Sequence, residues 1–189
     1  GMTFVPGQPI EDVAHADASE RNRVAALLFE LFLVELFKLR LVQTDPNFAN
    51  YQYNPETGQV VLLDFGASRR FKAALVRGFR DLLARAIAGD RPGMINAAES
   101  IGYQLGPDNS SYQQTLLELA DIALVPLTVN KPYDFGRSPI PQQLMQRLER
   151  LRSNSTFWQV PPIDVAYIHR QLGGFCMLAT RLNAEFHVH

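Results

Sequence analysis

Residues 43–66 read Gln43-Thr44-Asp45-Pro46-Asn47-Phe48-Ala49-Asn50, then Tyr51 to Val60, then Val61-Leu62-Leu63-Asp64-Phe65-Gly66. Tyr51-Gln52-Tyr53 and Val60-Val61-Leu62 flank Asn54-Pro55-Glu56-Thr57-Gly58, and Pro and Gly at those places predict a β-hairpin. Two carboxylates and a carboxamide (Asp45, Asn50 and Asp64) sit at its margins. The hairpin would hold Asn50 and Asp64 at opposite ends of one rigid element, better pre-organised than on free loops.

Asp45 and Asn50 have the D-x-x-x-x-N spacing of a kinase catalytic loop. Asp64-Phe65-Gly66 follows an apolar strand, where a kinase fold carries its second magnesium ligand. The residue types suit phosphoryl transfer, which needs charge neutralised on the phosphates and the nucleophile held in line. Magnesium takes oxygen ligands, one or two of them from protein. Asn50 offers a neutral oxygen and Asp64 a charged one, leaving Asp45 for the proton. A second copy, Asp134-Phe135-Gly136, follows Lys131-Pro132-Tyr133 with no strand before it and reads as a turn. The competing reading of the first copy is an Asp/Asn-rich turn before an ordinary hairpin, with Asp45 as an Asx-turn residue.

The wording of the stretch resembles the UbiB/AarF kinase-like family, and within it the branch linked to ubiquinone biosynthesis. Gln43, Thr44, Asp45, Pro46, Asn47, Asn50, Tyr53, Pro55, Leu62, Asp64, Phe65, Gly66, Ala67 and Arg69 carry the likeness. Pro9, the segment Pro132 to Gly136 and the segment His169 to Gly174 extend it along the chain. The resemblance implies a mainly α fold with one small β-hairpin, the C-terminal lobe of a protein-kinase-like fold. It further implies ATP and Mg2+ as cofactors, and an ATPase or phosphotransferase activity on a lipid or isoprenoid small molecule. Asp45 would be the catalytic Asp, with Asn50 and Asp64 binding the metal and its nucleotide. Gln43-Thr44 stands where most kinases have a His before the Asp, a change this branch shares.

Nothing like a small lobe precedes the site, so residues 1–189 read as one domain, a C-lobe without its N-lobe. After Gly66 a helix is expected almost at once, over about 72–88, leaving no room for a long activation segment ending in A-P-E. A peptide-docking platform is therefore not expected. Two rival functions remain: a helical module that binds a lipid or partner without catalysis, and a small-molecule kinase of the aminoglycoside or choline type. Arg69 and Arg70 read equally as contacts to phosphate or acidic lipid and as surface arginines.

A hydrophobic share of 47% and a charged share of 20% suit a single globular core. The net charge of −1 leaves no basic stripe to recruit nucleic acid. The one cysteine, Cys176, lies among Phe175, Met177 and Leu178 and reads as a packed thiol. A cytoplasmic location with peripheral membrane contact is the expectation. The four histidines lack zinc-ligand spacing.

Upstream, Thr3-Phe4-Val5 reads as a strand or hinge and Glu11 to His15 as one helical turn. Asp17 with Glu20 makes a capping box for a long helix carrying Val24, Leu28, Phe32 and Leu36. That helix is apolar nearly all round and reads as core rather than as a membrane span, because Glu30 and Glu35 interrupt it. Downstream, helices are expected to about Gln104, from Ser110 or Ser111 to a stop at Pro126, from Ser138-Pro139 onwards, and from Ile163 to the end. Ser153 to Thr156 reads as a polar loop, and Phe157-Trp158 as core packing rather than as an exposed apolar patch for a membrane or partner. Gly173-Gly174 reads as a point of close helix packing.

Overall fold

The computed structural model describes residues 5–45, 47–105, 110–153 and 161–188. Strand β1 (Gln8–Pro9) leads into a 3-10 turn, Ile10–His15, and then helix α1 (Ala18–Leu33). The Asp17 side chain accepts from Glu20 N–H at 3.0 Å and so satisfies one of the helix's orphan amides. A π-helical segment, Val34–Leu39, widens the end of α1 and buries Glu35 and Leu36. Arg40 stops it in the left-handed region at φ 54°, and β2 (Leu41–Gln43) follows.

The predicted hairpin forms as β3 (Tyr51–Asn54) and β4 (Gln59–Leu62), with Tyr51 opposite Leu62. Buried Asn54 folds its turn, accepting through Oδ1 from the Glu56 and Thr57 amides at 2.9 and 3.2 Å. Strand β1 adds to the outer edge of β3. Next come β5 (Ser68–Arg70) and helices α2 (Ala73–Ile87), α3 (Arg91–Ser100), α4 (Ser110–Ala123) and α5 (Val125–Thr128). Strand β6 (Tyr133–Asp134), helices α6 (Ile140–Ser153) and α7 (Ile163–Arg181), and strand β7 (Glu185–Phe186) complete the described chain.

Helices dominate, as expected, but three small sheets are present rather than one hairpin: β1-β3-β4, β2-β5 and β6-β7. Several local expectations change with them. Strand β1 begins at Gln8, beyond Val5, while Thr3 and Phe4 lie outside the described residues. The second D-F-G is not a bare turn, because its Asp134 pairs with Glu185 in the β6-β7 ladder. Pro126 opens the helical turn α5 instead of ending α4, since a first-turn proline lacks only an amide that would be orphaned anyway. Helix α3 ends at Ser100, where Gly102 at φ 103° turns the chain. Helix α7 ends at Arg181 and a strand follows. A Cβ on Gly173 would meet nothing within 4 Å, so this glycine is not a packing point. Phe157 and Trp158 lie outside the described residues, as does the polar loop beyond Ser153.

Two cores hold the fold. One gathers Ile10, Val24, Leu28, Tyr51, Tyr53, Phe135, Phe175 and Phe186; the other gathers Phe32, Leu36, Val42, Phe79, Val165 and Ile168. Helices α1 and α7 contribute to both and form a common spine. Strand β2 enters one core through Val42 and β3 enters the other through Tyr51. The loop carrying Asp45 and Asn50 therefore runs from one core to the other.

Candidate functional site

Backbone pairing sets the frame of the site. Strand β2 is antiparallel to β5, with Gln43 opposite Ser68. Thr44 extends that ladder: its N–H and its hydroxyl both donate to Ala67 O, at 3.2 and 2.7 Å. The hairpin's two chain ends are neighbours, since Leu63 N–H donates to Asn50 O at 3.0 Å. Asn50 and Asp64 thus flank the same end of the β3-β4 ladder, not opposite ends of the element. A 3-10 turn, Phe48–Asn50, delivers Asn50, and the Asn47 side chain caps it by accepting from Ala49 N–H at 3.1 Å.

Gln43 joins the Asp45 and Asp64 segments. It is 5% exposed. Its Nε2 donates to Asp64 O at 2.6 Å, and its Oε1 accepts from Asp45 N–H at 3.4 Å. Its own amide donates to Glu35 Oε2 at 3.2 Å. Burial pushes the Glu35 carboxyl above the usual range, and the Gln43 amide only partly opposes this. Sequence reasoning named Gln43 within a motif without giving it a task, and it missed Glu35. A lone Glu in an apolar run reads as an interruption unless its partner across the turn is known.

The three predicted residues differ in setting. Asp64 is exposed, and its Oδ1 accepts from Gly66 N–H at 2.7 Å in a tight Asx turn. Asn50 is half-buried. The Asp45 carboxylate, 39% exposed, has Arg170 Nη2 at 3.6 Å. The network brings the backbones of all three together, and a carboxylate with a carboxamide is a hard-oxygen donor set that could hold magnesium beside phosphate. Among the described residues no group of three or more His, Cys, Asp or Glu could cage a metal.

Helix α7 closes one side. Arg69 of β5 meets Asp164 at 2.7 Å and lies over the Tyr167 ring at 5.1 Å. Gln171 Nε2 approaches the Tyr51 hydroxyl at 3.4 Å. Below the loop, Leu28, Phe32, Phe48 and Phe175 with Glu35 and Gln171 line a cavity of about 30 Å³, room for about two waters. Buried Gln171 Oε1 has no partner there. Elsewhere, burial raises the Cys176 thiol to about 11, so it is no nucleophile at neutral pH. His169 contacts the Tyr103 hydroxyl at 3.2 Å and serves packing.

A model of the ABC1 atypical kinase-like domain matches residues 1–98. The rat protein named "Atypical kinase COQ8B, mitochondrial" is 29% identical over 98% of this chain and 35% of its own length. The Caenorhabditis elegans "Atypical kinase coq-8, mitochondrial" is 30% identical over 96% of this chain and 24% of its own. The Saccharomyces cerevisiae "Atypical kinase COQ8, mitochondrial" is 28% identical over 98% and 37%. This chain therefore spans about a third of the length of such relatives or less. Among solved structures, Rv3197 of Mycobacterium tuberculosis, in complex with erythromycin, superposes with a TM-score of 0.67 over 98% of this chain and 46% of that one. At 17% identity the two share a fold.

Proposed function

The chain belongs to the ABC1 atypical kinase-like family, and on that premise we propose that residues 1–189 are the C-terminal lobe of an atypical kinase-like ATPase or phosphotransferase of the ubiquinone-linked branch. Asp45 orients or deprotonates the acceptor, while Asn50 and Asp64 hold Mg2+ and, through it, ATP. The magnesium, when bound, supplies charge neutralisation on the phosphates. What supports this most is the Gln43 carboxamide: one buried side chain ties the Asp45 amide to the Asp64 carbonyl, at 3.4 and 2.6 Å. An ordinary turn before a hairpin has no need of such a strut.

A small lipid or isoprenoid acceptor fits better than a peptide. Strand β5 ends at Arg70 and α2 begins at Ala73, so the chain after Gly66 offers no extended docking segment. No helix among the described residues is long and apolar enough to cross a membrane. The relatives' names place those proteins in mitochondria, against the cytoplasmic expectation drawn from the sequence. In the full-length protein, Asp45→Asn should lower turnover by about 10²–10⁴, the scale of lost general acid–base catalysis. Undiminished ATP hydrolysis in that variant would remove Asp45 from the mechanism and leave the helical-module reading.

A further inference from the structure

The loop from Gln43 to Asn50 contains no Lys or Arg. Phosphoryl transfer nevertheless spreads negative charge over three equatorial oxygens that must be met by cations. Arg69, the nearest arginine along the chain beyond Gly66, is engaged by Asp164 and the Tyr167 ring. The guanidinium at the Asp45 carboxylate comes instead from α7, where Arg170 Nη2 lies 3.6 Å from Asp45 Oδ1.

Arg170 is mounted firmly and its tip is loose. Ile168 is fully buried and Gln171 nearly so, with the Gln171 amide at the Tyr51 hydroxyl. The Arg170 side chain is 60% exposed, and a turn further on Gly173 leaves open space. An ion pair this exposed adds little to stability. Holding the fold together therefore does not explain a guanidinium at the rim of the site.

We propose that Arg170 is a catalytic residue of this site, resting on Asp45 and meeting the transferred phosphoryl group during reaction. The inference rests on the phosphotransfer reading above. In the step, the bond from the γ-phosphorus to the β–γ bridging oxygen breaks, and its electron pair leaves on the nucleoside diphosphate. The acceptor oxygen, from a hydroxyl or from water, forms the new bond to phosphorus, and its proton passes to Asp45. Arg170 exchanges no atom; its planar fork pairs with the phosphoryl oxygens, a geometry an ammonium does not reproduce.

The test uses the full-length protein and compares wild type, Arg170→Gln, Arg170→Lys and Asp45→Asn. Arg170→Gln should lower ATP turnover by about 10³, the lower end of what an arginine finger supplies. Arg170→Lys should recover part of that loss. Arg170→Gln should bind Mg-ADP as wild type does, bind Mg-ADP with aluminium fluoride more weakly, and melt at the wild-type temperature. Wild-type turnover and aluminium fluoride affinity in Arg170→Gln, with Asp45→Asn inactive, would overturn the Arg170 role alone. So would a loss of turnover matched by losses of Mg-ADP affinity and melting temperature, which would make Arg170 structural. Full activity in Asp45→Asn would instead overturn the phosphotransfer reading on which it stands.

Discussion

The chain contains the tripeptide Asp-Phe-Gly twice, and the two copies are built in opposite ways. In Asp64-Phe65-Gly66 the Phe is 60% exposed and all three residues face solvent. In Asp134-Phe135-Gly136 the Phe is 3% exposed. Its ring stacks on Phe186 at 5.0 Å and meets Tyr133 and Phe175 edge-on. Asp134 there accepts from the Arg137 amide at 3.0 Å and closes a turn. A Cβ on Gly136 would fall 1.8 Å from Asn183 Oδ1. The same three letters make a displayed edge in one place and a core plug in the other. What separates them is the flanking chain: the first copy is tied by Gln43 and the β2-β5 ladder, the second by aromatic packing.

The contrast predicts stabilities as well as chemistry. The largest expected effect is Phe135→Ala, which should cost about 3–5 kcal/mol in urea unfolding, as large-to-small changes in a packed aromatic core do. Phe65→Ala, on the exposed copy, should stay within about 0.5 kcal/mol. Equal losses would mean that the first copy is packed too. Gly136→Ala comes next: the methyl must displace Asn183, at about 1–3 kcal/mol of overpacking. Gly66→Ala should cost less by the same measurement, because its Cβ would sit 3.0 Å from the Asp64 carboxylate, an exposed side chain that can yield.

The smallest effect is pH-dependent and concerns Glu35 under the first copy. Its folded carboxyl titrates above the ordinary glutamate range because it is buried. The proton is thus held more tightly in the folded state. Stability from this group is complete below the unfolded pKa and is lost as pH rises through the raised folded value. Glu35→Gln removes that dependence. Melting curves should show wild type losing ground to the variant as pH climbs from about 4.3, the ordinary glutamate value, towards neutrality. A constant difference across that range would show that Glu35 has no shifted titration.

Local signals made much of this legible in the sequence. Asp17 with Glu20 announces the start of α1, and Pro55 with Gly58 announces the hairpin turn, because each acts within a few residues. The apolar strand before Asp64 set the first D-F-G apart from the second. What could not be read lies between remote segments. The ladders Gln43–Ser68 and Tyr133–Phe186 are two or three residues long, too short to carry an alternating pattern. Arg170 reaches Asp45 only through the packing of α7. The π-helical widening that buries Glu35 leaves no trace in an apolar run that a plain α-helix would fit equally well.

The most direct measurement compares the two aspartates of the duplicated tripeptide in the full-length protein. Magnesium-dependent ATP binding would be titrated for wild type, Asp64→Asn and Asp134→Asn. The account predicts that Asp64→Asn weakens magnesium-dependent affinity by about tenfold or more, the loss of one charged contact, while Asp134→Asn binds as wild type does. Unchanged affinity in Asp64→Asn, or an equal loss in both variants, would contradict it.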